Sequence, residues 1–205
     1  MKAALRGAMQ IVTLGAGYDT FPYRQPKWAE RLRILEIDHP ATQQAKRARF
    51  RAKGLADPDN LEFCPLDLEI EDFSRCLADR LPNREQLIWT SCLGVLAYLR
   101  RQTIHNIFLA VAALPRGSGI TFTFAPHGAA SNVASKGSPS ASERAEQLGE
   151  RWLTLFTIED LEAELRACGF TVVNFFEPRE AKSRYYENRK DLPVPSVTRL
   201  CSAMV

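Results

Sequence analysis

Two glycines and one carboxylate, Gly15, Gly17 and Asp38, carry the most chemical information in this chain. An apolar run (Ile11, Val12, Leu14) ends on Gly15-Ala16-Gly17, and a second run closes on Leu35-Glu36-Ile37-Asp38. Glycines let the backbone turn sharply and let a ligand approach with no Cβ in the way. A carboxylate about 20 residues further on, at the tip of the next strand, is placed to accept hydrogen bonds from ribose hydroxyls. Strand, glycine turn, crossover and acidic strand tip make the nucleotide-binding half of a Rossmann-like sheet. The spacing argues for a ribose-bearing cofactor.

The turn also discriminates between cofactors. A dinucleotide fingerprint has a third glycine, G-x-G-x-x-G, so that a helix N-terminus can press against a pyrophosphate. Here that position is Thr20, and Asp19 precedes it. A carboxylate in the phosphate turn repels a pyrophosphate. It suits a cofactor with no phosphate and a cationic end, and S-adenosyl-L-methionine, with its sulfonium and α-ammonium, meets that description. An NAD-linked oxidoreductase stays as the dinucleotide alternative.

The elements that must position these residues follow from hydrophobic patterning. Strands are expected near 10–15, 32–38, 60–66, 86–91, 118–125, 170–176 and 195–204, and helices near 40–54, 70–80, 100–114 and 157–168. Pro22 and Pro26 keep the first crossover short or irregular. Alternating strands and helices predict a mostly parallel sheet with helices on both faces. Ligands in such sheets bind beyond the carboxyl ends of the strands. Gly15–Gly17, Asp38, Asp67 and Leu93 all fall at that edge. Residues 128–142, rich in Ser, Ala and Gly, read as a flexible excursion, either part of an acceptor-side lid or a surface loop. Trp152, Phe156, Leu161, Leu165 and Phe170 read as packing against the sheet. Glu36 reads as a surface charge at the sheet edge, and Arg24 as an ion-pair partner of Asp19 or, less simply, a group that orients a substrate carboxylate.

The wording of the motifs goes further. Leu14-Gly15-Ala16-Gly17-Tyr18-Asp19-Thr20, Tyr23-Arg24 and Glu36-Ile37-Asp38-His39-Pro40-Ala41-Thr42-Gln43 with Lys46 come in that order. Leu66-Asp67-Leu68, Leu93-Gly94-Val95 with Tyr98-Leu99, Gly149-Glu150 before Trp152, and Gly169-Phe170 follow. This series resembles the leucine carboxyl methyltransferase family, and within it the bacterial S-adenosyl-L-methionine-dependent branch. The resemblance implies an α/β fold of the Rossmann-like class I methyltransferase type, a mostly parallel seven-stranded sheet with one antiparallel strand and helices on both faces. It implies that Gly15 and Gly17 line the methyl donor, that Asp38 holds its ribose, and that Asp67 and Leu68 flank its adenine. Read without the resemblance, Asp67 is a cap for the helix near Glu71-Asp72. The eukaryotic branch has glutamate at the position of Leu93, near the donor's methionine end, whereas the bacterial branch commonly reads Leu-Gly-Val. Family members also carry several dozen helical residues before the first strand, where this chain has MKAALRGAM. The expectation is that this covering segment is missing, either lost or cut off by a late start.

The activity so implied is methyl transfer to oxygen of a small-molecule acceptor, with a non-catalytic paralogue retaining only the Rossmann core as the alternative. A carboxylate acceptor is ionised at neutral pH and needs no general base, whereas a hydroxyl needs one. His39 reads as shaping the turn after the second strand and His105 as mid-helix. His127, at the end of the fifth strand, lies nearest the site, but no catalytic residue is assigned. Tyr185, Tyr186 and Arg189 read as a border of the acceptor site or as plain surface.

Composition bounds the rest. The chain of 205 residues, 45% apolar, is expected to form a single domain over 1–205. Its net charge is +3, and the Lys46, Arg47, Arg49, Arg51, Lys53 run reads as a solvated helical face rather than a nucleic-acid patch. The five widely spaced cysteines contain no C-x-x-C pair, which argues for reduced thiols and against a disulfide framework or a metal site. Cys92 reads as a small buried apolar residue. With no long apolar stretch and no signal core, a soluble cytoplasmic protein without membrane insertion is expected. Sequence gives no oligomeric state.

Overall fold

The apolar runs become seven strands: β1 (Gln10–Leu14), β2 (Arg33–Asp38), β3 (Leu61–Pro65), β4 (Ile88–Cys92), β5 (Gly119–Phe124), β6 (Val172–Phe176) and β7 (Arg199–Met204). They form one sheet in the order β3-β2-β1-β4-β5-β7-β6. Neighbours are parallel except where β7 runs antiparallel to both β5 and β6. The computed structural model describes residues 7–81, 83, 85–127, 151–187, 189, 191 and 198–205. The expected excursion at 128–142, the Gly149-Glu150 pair and the first three residues of the expected last strand lie outside them.

Helices α1 (Pro40–Ala52), α2 (Phe73–Arg80), α3 (Arg101–Ala112) and α4 (Ile158–Cys168) sit where periodicity puts them, each a little shorter than expected. A short α5 (Pro178–Ala181) continues into a π-helical turn, Lys182–Tyr186. The first crossover is two 3-10 turns, Phe21–Arg24 and Lys27–Ala29, as Pro22 and Pro26 require. The start of α2 is capped by Asp72, whose carboxylate accepts from the Ser74 and Arg75 amides at 2.8 and 3.3 Å. The cap expected of Asp67 therefore belongs to Asp72.

Among the described residues, the two sheet faces are covered unequally. On one, Val12, Leu14, Leu35, Ile37, Ile120 and Phe122 pack with side chains of α2, α3 and α4 into the main core. Phe156, Leu161, Leu165 and Phe170 join it as expected, and so does Cys92. On the other face, α1 packs on β2, and a small cluster of Ala29, Leu32 and Ile34 lies under the crossover. Beyond it, the strands from β1 to β6 border a cavity of about 720 Å³ floored by Thr13, Ser91, Thr121 and Ser202.

Two expectations about charge are corrected here. Glu36 is 1% exposed, not a surface charge, and Lys46 is equally buried rather than part of a solvated face. Their ends meet, Lys46 Nζ to Glu36 Oε2, at 2.6 Å. An alternating strand face puts Glu36 beneath α1, and α1 buries Gln43, Lys46 and Phe50 at helical spacing on that side.

Candidate cofactor site

The carboxyl ends of β1 to β4 bring the sequence-derived residues to one edge of the sheet. The Gly15 amide donates to the Ile37 carbonyl at 2.8 Å, one step past the end of β1. Gly15 has φ +62°, and a Cβ placed there would lie 2.2 Å from Val95 Cγ2, so glycine is required on both counts. Gly17, at φ +47°, faces open space: a Cβ there would meet no atom within 4 Å. The Gly17 amide donates to Asp38 Oδ2 at 2.5 Å, and the His39 amide donates to Asp38 Oδ1 at 2.7 Å. Asp38 is 8% exposed. Each of its oxygens has a lone pair beyond the one used, so the carboxylate still has acceptor capacity for a diol.

The β3 end adjoins this turn through the Leu66 amide, which donates to the Asp38 carbonyl at 2.9 Å. Asp67 folds the next four residues into a tight turn: its Oδ1 accepts from the Glu69 amide at 2.9 Å and its carbonyl from the Ile70 and Glu71 amides. Its other oxygen lies 3.8 Å from His39 Nε2. Leu68 packs back against the main core. At the β4 end Leu93 is 51% exposed, and the Gly94 amide donates to Thr123 Oγ1 at 2.7 Å, which ties this turn to β5.

Asp19 is exposed, with Oδ1 accepting from the Phe21 amide at 2.9 Å. Arg24 does not follow the expected pairing with Asp19; its Nε donates to Thr20 Oγ1 at 2.8 Å. Beneath the turn, burial pushes the Glu36 carboxyl above the usual carboxylate range, against the opposing pull of Lys46. Tyr23 donates to Asp57 at 2.7 Å, and Arg47 meets the same carboxylate at 2.9 Å, which clamps the crossover to α1. Burial, and then Asp57, push the Tyr23 phenol strongly up.

The histidines have structural partners. His39 Nδ1 accepts from the Ala41 amide at the start of α1, and His105 Nδ1 lies 3.4 Å from Glu164 on the covered face. The His127 amide donates to the Phe156 carbonyl. None of the three lines the large cavity among the described residues. That cavity runs from Asp19 and Phe21, beside the glycine turn, to Glu180, Arg184 and Tyr185. Of the three late residues singled out in the sequence, Tyr185 reaches it, while Arg189 pairs with Asp191 at 2.7 Å. Among the described residues no group of three or more His, Cys, Asp or Glu is placed to hold a metal ion, and no helix is long and apolar enough to cross a membrane.

Residues 1–112 match the family model for leucine carboxyl methyltransferase. This chain belongs to the leucine carboxyl methyltransferase family. YktD of Bacillus subtilis (strain 168), whose name assigns it to the S-adenosyl-L-methionine-dependent methyltransferases, is 32% identical over 194 residues, covering 90% of this chain and 61% of that protein. A similarly named protein of Mycobacterium marinum is 30% identical over 156 residues, 76% of this chain and 48% of its own length. The chain thus spans 61% and 48% of the length of these two relatives.

Solved structures agree on the architecture. The N-terminal domain of EvdMO1, determined with SAH and D-fucose, superposes with a TM-score of 0.61 at 16% identity, covering 100% of this chain and 81% of that one. Human N-acetylserotonin methyltransferase, in complex with SAM, gives 0.59 at 13% identity over 99% of this chain and 49% of its own. At such identities the likeness concerns the fold alone, and the fold is that of the class I methyltransferases, as the resemblance implies. The sequence motifs led to Gly15, Gly17, Asp38, Asp67 and Leu68. They gave Val95 no role within Leu93-Gly94-Val95 and did not lead to Thr123, although contacts of both shape the same edge.

Proposed function

We propose that this chain is the S-adenosyl-L-methionine-binding core of a methyltransferase acting on oxygen, carboxylate or hydroxyl, of a small molecule. The observation that carries this reading is the Gly17–Asp38 contact at 2.5 Å, with open space above Gly17 and spare acceptor capacity on a largely buried carboxylate. Gly15 and Gly17 would line the donor, Asp38 would accept from its ribose hydroxyls, and Asp67 and Leu68 would flank its adenine. When bound, the donor supplies a methyl group activated by a sulfonium sulfur. The exposed Asp19 carboxylate favours a cationic ligand beside the turn and disfavours a pyrophosphate.

The work left to the protein is alignment of the acceptor oxygen behind the methyl carbon. The cavity reaching from Asp19 to Tyr185 has the size of a small-molecule site and is the space assigned to the acceptor. Small hydroxyl side chains on its floor and aromatic rings at Phe21, Phe176 and Tyr185 suit a compact acceptor with both apolar and hydrogen-bonding surface. A nucleic-acid partner is disfavoured because the basic run is already engaged: Lys46 with Glu36, Arg47 with Asp57, and Arg49 over the Tyr18 ring. Five free, buried cysteines support the cytoplasmic location expected from sequence.

Calorimetric titration of the purified chain with S-adenosyl-L-methionine, and with NAD as the control, tests the cofactor. Micromolar affinity for the donor alone is the expected result. Absence of donor binding, or preference for NAD, overturns the reading. A second reading is donor binding without turnover, because methyl transfer also needs a site closed to water. Tight donor binding combined with no methylation across a panel of carboxylate and phenol acceptors would select it.

A further inference from the structure

The strongest unassigned feature is a pair of thiols behind the Asp67 turn. Cys64, near the end of β3, and Cys76, in α2, bring their Sγ atoms to 2.7 Å, and both residues are buried in the main core. They are twelve positions apart, and the loop between them carries Asp67, Leu68 and the helix cap Asp72. All five cysteines are free thiols.

We propose that Cys64 and Cys76 are a reversible dithiol–disulfide pair, which a peroxide oxidises and which closes the Asp67–Leu68 loop into a ring. The place of this loop beside the methyl donor rests on the function proposed above; the bond itself does not. In the first step one thiolate attacks hydrogen peroxide, a sulfur–oxygen bond forms, the peroxide bond breaks, and hydroxide leaves to become water. The second sulfur then attacks the sulfenic sulfur, forming the disulfide and releasing a second water. Two thiols lose two protons and two electrons, and one peroxide becomes two waters.

Geometry and packing favour this pair over the other cysteines. Cys92 and Cys201 are fully enclosed, and the Cys168 sulfur faces His105 at 3.7 Å. Cys64 and Cys76 are 6% and 7% exposed, and α2 is a short helix of eight residues. Its transient opening admits a water-sized oxidant. Burial, with Cys64 alongside, pushes the Cys76 thiol strongly up, so oxidation is slow at neutral pH and quickens in alkali. Once formed, the ring restricts the unfolded chain and raises thermal stability.

The test uses the full chain, treated with hydrogen peroxide, quenched with catalase, alkylated and mapped by mass spectrometry. The expected product has lost two hydrogens, shows a Cys64–Cys76 cross-link that dithiothreitol reverses, and melts roughly 5–10 °C above the reduced form. Cys64→Ala and Cys76→Ala should each abolish the cross-link and the oxidation-dependent shift in Tm. Free thiols after treatment of folded protein, separate oxidation to sulfinic acids, a cross-link elsewhere or an unchanged Tm would each overturn the proposal. If either variant fails to fold, the map of the unsubstituted chain decides the question. None of these readouts requires donor binding, so they stand apart from the outcome of the calorimetry.

Discussion

The Gly17 amide and the Asp38 carboxylate meet at 2.5 Å, so the turn after β1 is held by the tip of β2. One carboxylate thereby serves two tasks, fixing the turn and keeping acceptor capacity for a ligand. Asp38→Ala should remove both. Donor affinity is expected to fall by about 100-fold or more, since hydrogen bonds to a charged group are worth roughly 1.5–3 kcal/mol each. Stability should fall by about 1–3 kcal/mol as the Gly17 and His39 amides lose their partner. Calorimetry and urea unfolding measure the two effects separately, and unchanged donor affinity would sink the ribose assignment.

Gly15 touches Val95 with no room for a side chain. Gly15→Ala should cost roughly 1–3 kcal/mol from the left-handed backbone and the overlap together. Adding Val95→Ala relieves the overlap alone, so the double variant should recover part of the loss. A double-mutant cycle in urea reads this coupling, and strict additivity would show that the contact does not matter.

Lys46 and Glu36 form an ion pair with both side chains 1% exposed. Lys46→Met leaves a buried carboxylate without its partner and should cost about 3–5 kcal/mol at neutral pH. Glu36→Gln combined with Lys46→Met should restore most of it. The Glu36 carboxyl is already raised in the folded protein. Its favourable contribution is therefore present below the ordinary glutamate value of about 4.3 and is lost as pH rises through the folded value. Removing Lys46 raises it further, so the gap in urea midpoint between Lys46→Met and the unsubstituted chain should widen with rising pH. A constant gap from about pH 4 to 8 would contradict the pairing.

Asp72 caps α2, the helix that carries Cys76. Asp72→Ala should remove the cap, lower the stability of α2 and open its first turn more often. Cys76 should then react several-fold faster with a thiol reagent under native conditions. An unchanged rate would mean that access to Cys76 does not run through the start of α2.

Much of this was legible in the sequence, for identifiable reasons. Strand and helix positions follow from period-2 and period-3.6 patterning, which depends on local burial, and β1 to β6 with α1 to α4 fall close to their expected places. The Gly15, Gly17 and Asp38 edge was legible because a backbone turn and a strand tip constrain residue type directly. The Glu36–Lys46 pair was misread because charge was taken to mean exposure. Two signals pointed the other way: Glu36 interrupts an otherwise apolar strand, and Lys46 shares a helical stripe with Gln43 and Phe50. The cap of α2 was placed on Asp67 rather than Asp72, and only the backbone path of the Asp67 turn separates them. Unequal covering of the two sheet faces was not legible at all, since patterning says that a face is buried without saying by what.

Chain order and sheet order part company at β4, which returns to β1, and again at β7. The last strand sits between β5 and β6, bonded to both. It is a keystone: β6 has no neighbour in the sheet until residues 199–204 arrive. Assembly can therefore begin at the β3-β2-β1-β4-β5 end, where the Gly15–Asp38 edge lies, while the β6 margin and the Tyr185 wall of the large cavity join afterwards. Such long-range closure is slow. This order permits a stage in which the Gly15–Asp38 edge is formed and the Tyr185 wall is not. A ligand present during folding would then meet the Gly15–Asp38 edge first.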